Sequence, residues 1–255
     1  VKEIETDVIN WERKLIDRQD ILDQWIKCQV AWLYLEPIFT SQDITTQLPD
    51  EATKFGIVDK SWRAIMDITQ KTKIVTEVMT IENLLVNFMS HNKMLDEIHK
   101  GLKDYIETKR KKFPRFYFLS DDELLEILSE TKDPLRVQKH LRKCFEGIDK
   151  LRFTENKEII AMLSKEKEEI SFTRAIVPND YSGKVELWLL EIEKEMRVSI
   201  REVIEKAIHA YTTTKRSQWI INWQGQVVLA VSQLFWTREV EEAIKIGGVK
   251  GIQKY

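Results

Sequence analysis

The stretch I-E-N-L-L-V-N-F-M-S-H-N-K-M-L-D-E-I-H-K-G-L-K-D-Y-I, from Ile81 to Ile106, decides the fold. Its apolar residues Ile81, Leu84, Leu85, Phe88, Leu95, Ile98, Leu102, Tyr105 and Ile106 recur at near-heptad spacing, which predicts one long helix with coiled-coil-like packing on a neighbour. The basic run Lys109 to Lys112 follows at its C-terminal end, where positive charge complements the helix dipole.

Upstream, Ile4, Val8, Trp11, Leu15, Leu22, Trp25 and Ile26 stand at steps of three, four and seven. They predict an apolar stripe on a helix running to about Leu35, with Pro37 ending it. The polar stretch Thr40 to Asp50, with Pro49, reads as a connector, and Val58, Trp62, Ile65, Met66 and Ile68 mark a second helix.

Downstream, the aromatic-rich Phe113 to Leu119 contains Pro114 and reads as short and extended. Ser120 and Glu123 have capping-box spacing and open a helix over Asp121 to Glu130. Asp133 and Pro134 read as N-cap and first residue of a helix through Cys144 and Phe145. Between Lys157 and Pro178 the period changes: Ile159, Ile160 and Met162, then polar Ser164 to Glu169, then Ile170 and Phe172 alternating with Ser171 and Thr173, a β-hairpin. After a loop at Asn179 to Gly183 come two more helices, about Lys184 to Thr214 and about Ser217 to Ile246. No fixed-period repeat occurs. The expected fold is mainly all-α: an elongated array of helical bundles with one short β-hairpin, divided as 1–112, 113–180 and 181–255.

Charged residues are 32% of the 255, and only 8 Gly and 5 Pro occur, a composition of long helices rather than turn-rich sheet. Lys plus Arg (40) nearly balance Asp plus Glu (42), which speaks against a global field for nucleic acid or anionic lipid. Cys28 and Cys144 are far apart with no CxxC pair, and an intracellular, reducing setting is expected. The charged N-terminus has no signal-peptide core, and no apolar run approaches a membrane span. Lacking an initiator Met, the chain reads as an excised fragment.

Catalytic motifs are missing. A nucleotide-binding loop needs glycines whose amides wrap phosphate, then Lys and a hydroxyl; Gly183 has Pro178 in place of the first glycine, and no Lys-Ser/Thr pair follows Gly247, Gly248 and Gly251. His140 and Cys144, four apart, could present two zinc ligands, but nothing completes four, so a surface histidine beside a half-buried cysteine is the expectation. His91 and His99 read as solvated or capping. The pairs Asp121–Asp122 and Glu168–Glu169 read as solvated charge, since acid–base carboxylates need burial to shift their pKa. Lys109 to Lys112 with Arg115, Phe116, Tyr117 and Phe118 mixes cations and aromatics as some nucleic-acid surfaces do, yet a helix-end cation cluster before a buried edge segment explains it better. The eight tryptophans read mostly as core.

Three segments carry a resemblance. W-L-Y-L-E-P-I-F at Trp32 to Phe39, F-P-R-F-Y-F-L-S-D-D-E-L-L-E-I-L-S-E-T-K-D-P at Phe113 to Pro134 continuing into V-Q-K-H-L-R-K-C-F, and Q-V-V-L-A-V-S-Q-L-F-W-T-R-E-V-E at Gln226 to Glu241 resemble the linker of dynein heavy chains, more the axonemal than the cytoplasmic type. The match runs from about Trp25 to Ile244. It departs at the hairpin tip, where Ser164 to Lys167 is Ser-Lys-Glu-Lys in place of Ser-Gly-Glu-Gly, and after Ile246.

The resemblance implies a lever that arches over an AAA+ ring and bends and straightens with the nucleotide cycle of a minus-end-directed microtubule motor in cilia and flagella. It implies no catalytic residue, metal or cofactor in this segment, with ATP and Mg²⁺ held by AAA+ modules C-terminal to residue 255. The implied partners are that ring, and intermediate or light chains and microtubules through the parent complex, with no nucleic acid and no membrane. The expected location is the cytoplasm and cytoskeleton, in an axoneme. Lys165, Lys167, Phe172 and Arg174 of the hairpin are the candidate ring contacts, because protruding loops on rigid scaffolds carry contacts. The alternatives are a passive scaffold tethering cytoskeletal or light-chain partners and a small helical enzyme using His140 or Cys144.

Overall fold

Heptad-spaced apolar residues draw three long helices together in the computed structural model, which describes residues 2–129 and 133–254. The protein is mainly helical, as expected, and divides into two compact units, 1–131 and 132–255.

In the first unit, α1 (Lys2–Thr40), α3 (Pro49–Thr72) and α5 (Leu84–Lys112) pack along one another. Helix α5 buries Leu84, Phe88, His91, Leu95, Ile98, Leu102 and Ile106, close to the register that its spacing predicts. Against it α3 buries Phe55, Val58, Trp62 and Ile65, steps of three and four. The register of α1 differs from expectation. Ile21, Cys28 and Leu35, seven apart, face the core, while Ile4, Val8, Trp11, Leu15, Leu22 and Ile26 are exposed. Of the expected stripe only Trp25 packs inward, its ring 5.2 Å from Phe88 and 6.4 Å from Trp62.

Pro37 does not end α1, which continues to Thr40. Proline removes one helical hydrogen bond, to the carbonyl of Leu33 four residues back. Both residues lie on the exposed side of the helix, while Leu35 and Phe39 are buried on the other and hold it in line. The expected connector contains a short helix, α2 (Gln42–Gln47), and α3 begins at Pro49 itself, since proline suits the first helical position. A single turn, α4 (Val75–Val78), precedes α5.

Phe113 to Leu119 is not extended: Pro114–Phe118 forms a 3₁₀ turn. The three-residue spacing of Phe113, Phe116 and Leu119 stacks all three into the core, the two rings edge to face at 4.9 Å. Ser120 and Glu123 form the expected reciprocal box, Ser120 N–H donating to Glu123 Oε2 (3.1 Å) and Glu123 N–H to Ser120 Oγ (3.3 Å). They start α6 (Asp121–Ser129); the helix end expected at Glu130 lies outside the described residues.

In the second unit, Pro134–Val137 is a 3₁₀ turn leading into α7 (Gln138–Cys144). Asp133 makes no side-chain cap there; its carboxylate meets Lys157 at 3.3 Å instead. The hairpin is present as β2 (Ile159–Leu163) and β3 (Glu169–Ile176), and a further strand, β1 (Lys150–Phe153), completes an antiparallel sheet of order β1-β2-β3. Helix α8 (Val185–Tyr211) packs on β3 and buries Val185, Trp188, Leu189 and Ile192.

The last expected helix is two. α9 (Arg216–Asn222) stops at extended Trp223, and α10 (Gly225–Lys254) starts afresh, with a kink at Gly248 (φ 57°, ψ −140°), a conformation open to glycine. Tertiary contacts override helix propensity at that break. Trp219 is fully buried with Ala207, Val227 and Val231, and its indole Nε1–H donates to the Ala207 carbonyl at 2.9 Å.

Candidate functional site

The hairpin tip is built by one five-residue pattern used twice. In Ser164-Lys-Glu-Lys-Glu168 the Ser164 N–H donates to the Glu168 carbonyl (2.9 Å), Lys167 N–H to the Ser164 carbonyl (3.1 Å) and Glu168 N–H to Ser164 Oγ (3.2 Å). In Thr154-Glu-Asn-Lys-Glu158, between β1 and β2, Thr154 N–H, Lys157 N–H and Glu158 N–H make the equivalent bonds at 2.9, 3.0 and 3.1 Å. The hydroxyl folds the chain back, and Lys157 (φ 61°) and Lys167 (φ 68°) take the left-handed conformation that closes each turn.

The four candidate contact residues separate into two places. Lys165 and Lys167 lie exposed at the tip. Phe172 is buried under the sheet, and Arg174 reaches across to Glu191 and Glu195 of α8.

Between Ile159 and Ala161 the register of β3 jumps from Ile176 to Ser171, so residues 172–175 bulge out of the ladder. Helix α8 supplies partners for two of the amides in that bulge: Thr173 N–H donates to Ser199 Oγ (3.1 Å) and Arg174 N–H to Glu195 Oε1 (3.1 Å). The Thr173 hydroxyl also donates to Glu195 Oε1, which explains why a carboxylate only 5% exposed is retained there. At the other end of the hairpin, Glu168 Oε1 accepts the Gly225 N–H at 2.8 Å, and Gln224 Nε2–H donates to the Glu169 carbonyl at 3.0 Å. The hairpin thus touches both α8 and the start of α10.

The other candidates have structural surroundings. His140 and Cys144 are both buried on α7, so His140 is not the expected surface residue. Among the described residues no group of three or more His, Cys, Asp or Glu side chains gathers as a metal site. His91 is buried rather than solvated: it lies on the inward stripe of α5, edge-on to Phe88 at 6.4 Å, and burial lowers its pKa. His99 stays exposed beside Tyr34. Burial pushes the Cys28 thiol up to about 12, away from the thiolate that a nucleophile needs.

Nor are the paired carboxylates simply solvated. Asp121 meets Arg110 at 2.8 Å, Glu168 caps α10, and Glu169 meets Arg152 at 2.6 Å. The cation–aromatic cluster is also used internally: Arg110 NH2 donates to the Leu119 carbonyl (2.9 Å), and the Lys109 ammonium sits 5.1 Å from the Tyr105 ring. Phe118 is left outward, 71% exposed. No helix among the described residues is long and apolar enough to cross a membrane.

Comparison with known proteins places this arrangement in a family. Residues 1–207 match the family model "Dynein heavy chain, N-terminal region 2". The chain is 52% identical to human dynein axonemal heavy chain 3 over 244 residues, which is 96% of this chain and 6% of that protein. It is 50% identical to mouse dynein axonemal heavy chain 1 over 248 residues, 97% of this chain and 6% of that one. Human dynein axonemal heavy chain 12 is 48% identical over 255 residues, 100% of this chain and 8% of that protein. The chain therefore spans less than a tenth of these relatives. With a family model over most of its length and about half its residues shared with three heavy chains, this protein belongs to the dynein heavy chain family, within the N-terminal region of its axonemal members.

Proposed function

We propose that this segment is the mechanical linker of an axonemal dynein heavy chain: a lever without catalytic residues of its own that bends and straightens over the AAA+ ring as the ring binds and hydrolyses ATP. ATP and Mg²⁺ would bind modules C-terminal to residue 255, and the parent motor would act on microtubules in a cilium or flagellum. The observation that carries this reading is the match to axonemal heavy chains along the whole segment.

The physical design suits the task. Helix α5, with 29 residues, spans about 43 Å at 1.5 Å per residue, and α8, with 27, about 40 Å. Each is stiffened by side chains packed along much of its length, so strain applied at one end reaches the other. Of the hairpin residues, the exposed Lys165 and Lys167 suit an outside contact, while Phe172 and Arg174 hold the hairpin to its own unit.

Binding of the labelled segment to a separately produced dynein ring lacking its linker, with and without ATP plus vanadate, tests the reading. A lever shows affinity that changes with nucleotide state, because a ligand shifts a two-state element only by its differential affinity for the two states. Binding indifferent to nucleotide, by a segment shown to be folded, would support the passive helical scaffold instead.

A further inference from the structure

Two elements distant in sequence meet at the hairpin. Glu168 directly follows the left-handed Lys167 of the tip, and its carboxylate accepts the backbone N–H of Gly225, the first residue of α10. That N–H is one of the four at a helix start that have no partner within the helix, so Glu168 is its cap. The carboxylate also places negative charge at the positive end of the helix dipole. One residue along, Gln224 Nε2–H holds the Glu169 carbonyl at 3.0 Å, and the Gln224 carbonyl accepts Val228 N–H at 2.9 Å as the first bond of α10.

The hairpin tip and the start of α10 therefore share two hydrogen bonds, one of them to a group on a turn that carries two exposed lysines. We propose that they form a releasable latch: displacing the tip withdraws Glu168 and uncaps α10, so that a contact on Lys165 and Lys167 loosens the first turn of that helix. By linkage the converse holds, and disturbing the start of α10 loosens the tip by the same factor. The bulge bonds from Thr173 and Arg174 to α8 anchor the far end of the hairpin, which leaves the tip as its movable end. The latch lies wholly inside the second unit, so it stands or falls independently of the lever reading.

The test is amide hydrogen exchange in the whole chain. Glu168→Ala should speed exchange at Gly225, Val228 and Leu229 about fivefold, the factor implied by loss of a typical N-terminal cap. Glu168→Gln, which keeps an acceptor, should restore much of the protection, and Glu166→Ala on the same turn should leave α10 unchanged. Gly225→Pro removes the donor while keeping a residue suited to the first helical position, and it should speed exchange at Lys167 and Glu168 in the tip. The latch is overturned by any of three results: unchanged α10 amides in Glu168→Ala, an equal effect from Glu166→Ala, or an unmoved tip in Gly225→Pro.

Discussion

The two units are held together by different means. In the first, the rings of Trp25, Trp32, Trp62 and Phe88 meet at centroid distances of 5.2 to 6.4 Å between α1, α3 and α5. In the second, a three-stranded sheet is fixed to α8 and α10 by directed polar bonds through Glu195, Ser199, Glu168 and Gln224. Apolar burial is non-directional, whereas a buried carboxylate on one backbone amide and two hydroxyls fixes one position. The first unit thus rests on interlocked rings, whereas the second adds directed bonds that hold its hairpin at a set place on α8 and α10.

Single substitutions can break that contrast. Phe88→Ala, at a fully buried ring touching both Trp25 and Trp62, should destabilise the first unit by about 3–5 kcal/mol in urea unfolding and leave the second unit's melting unchanged. Glu195→Ala should cost the second unit about 1–3 kcal/mol by orphaning the Arg174 amide and the Thr173 hydroxyl, with faster exchange across residues 172–175. If Glu195→Ala costs as little as an exposed charge, the polar-bolt account of the second unit fails.

Lys167→Gly relieves a left-handed lysine and should stabilise the second unit by about 0.5–1 kcal/mol; a loss would show that the turn does not need that conformation. The smallest effect belongs to His91. Burial depresses its folded-state pKa, so the unfolded chain takes up a proton first as pH falls. The first unit should lose stability as pH drops from neutrality through the unfolded histidine range towards the lower folded value, and His91→Gln should remove that part of the slope.

What the sequence made legible follows the same division. Helix α5 and the capping box of α6 were readable because periodicity and local bonds need no distant partner. The burial of α1 was not, because Leu22 and Ile26 compete as a face with Ile21, Cys28 and Leu35, and the apolar spacing of Ile4 to Leu15 does not say that this length of the helix stays exposed; only the positions of α3 and α5 decide both. Strand β1 could have been found by noticing that Thr154-Glu-Asn-Lys-Glu repeats the polar outline of Ser164-Lys-Glu-Lys-Glu. The break before α10 depends on Glu168 and Glu169 lying more than fifty residues away, which no local pattern carries. Of the candidate contact residues, Lys165 and Lys167 were readable as an exposed tip; the inward roles of Phe172 and Arg174 depend on α8 lying against β3.

The proposed lever is tested most directly by a distance within the whole heavy chain. Cys28 and Cys144 are both buried, and Cys28 is held as the thiol, so a donor dye on Lys165→Cys would label the hairpin tip selectively within this segment. With an acceptor in the first nucleotide module of the ring, transfer efficiency should switch between two values as the motor passes from its nucleotide-free form to the ATP–vanadate form. One efficiency in every nucleotide state, in a motor that still hydrolyses ATP, would contradict the lever.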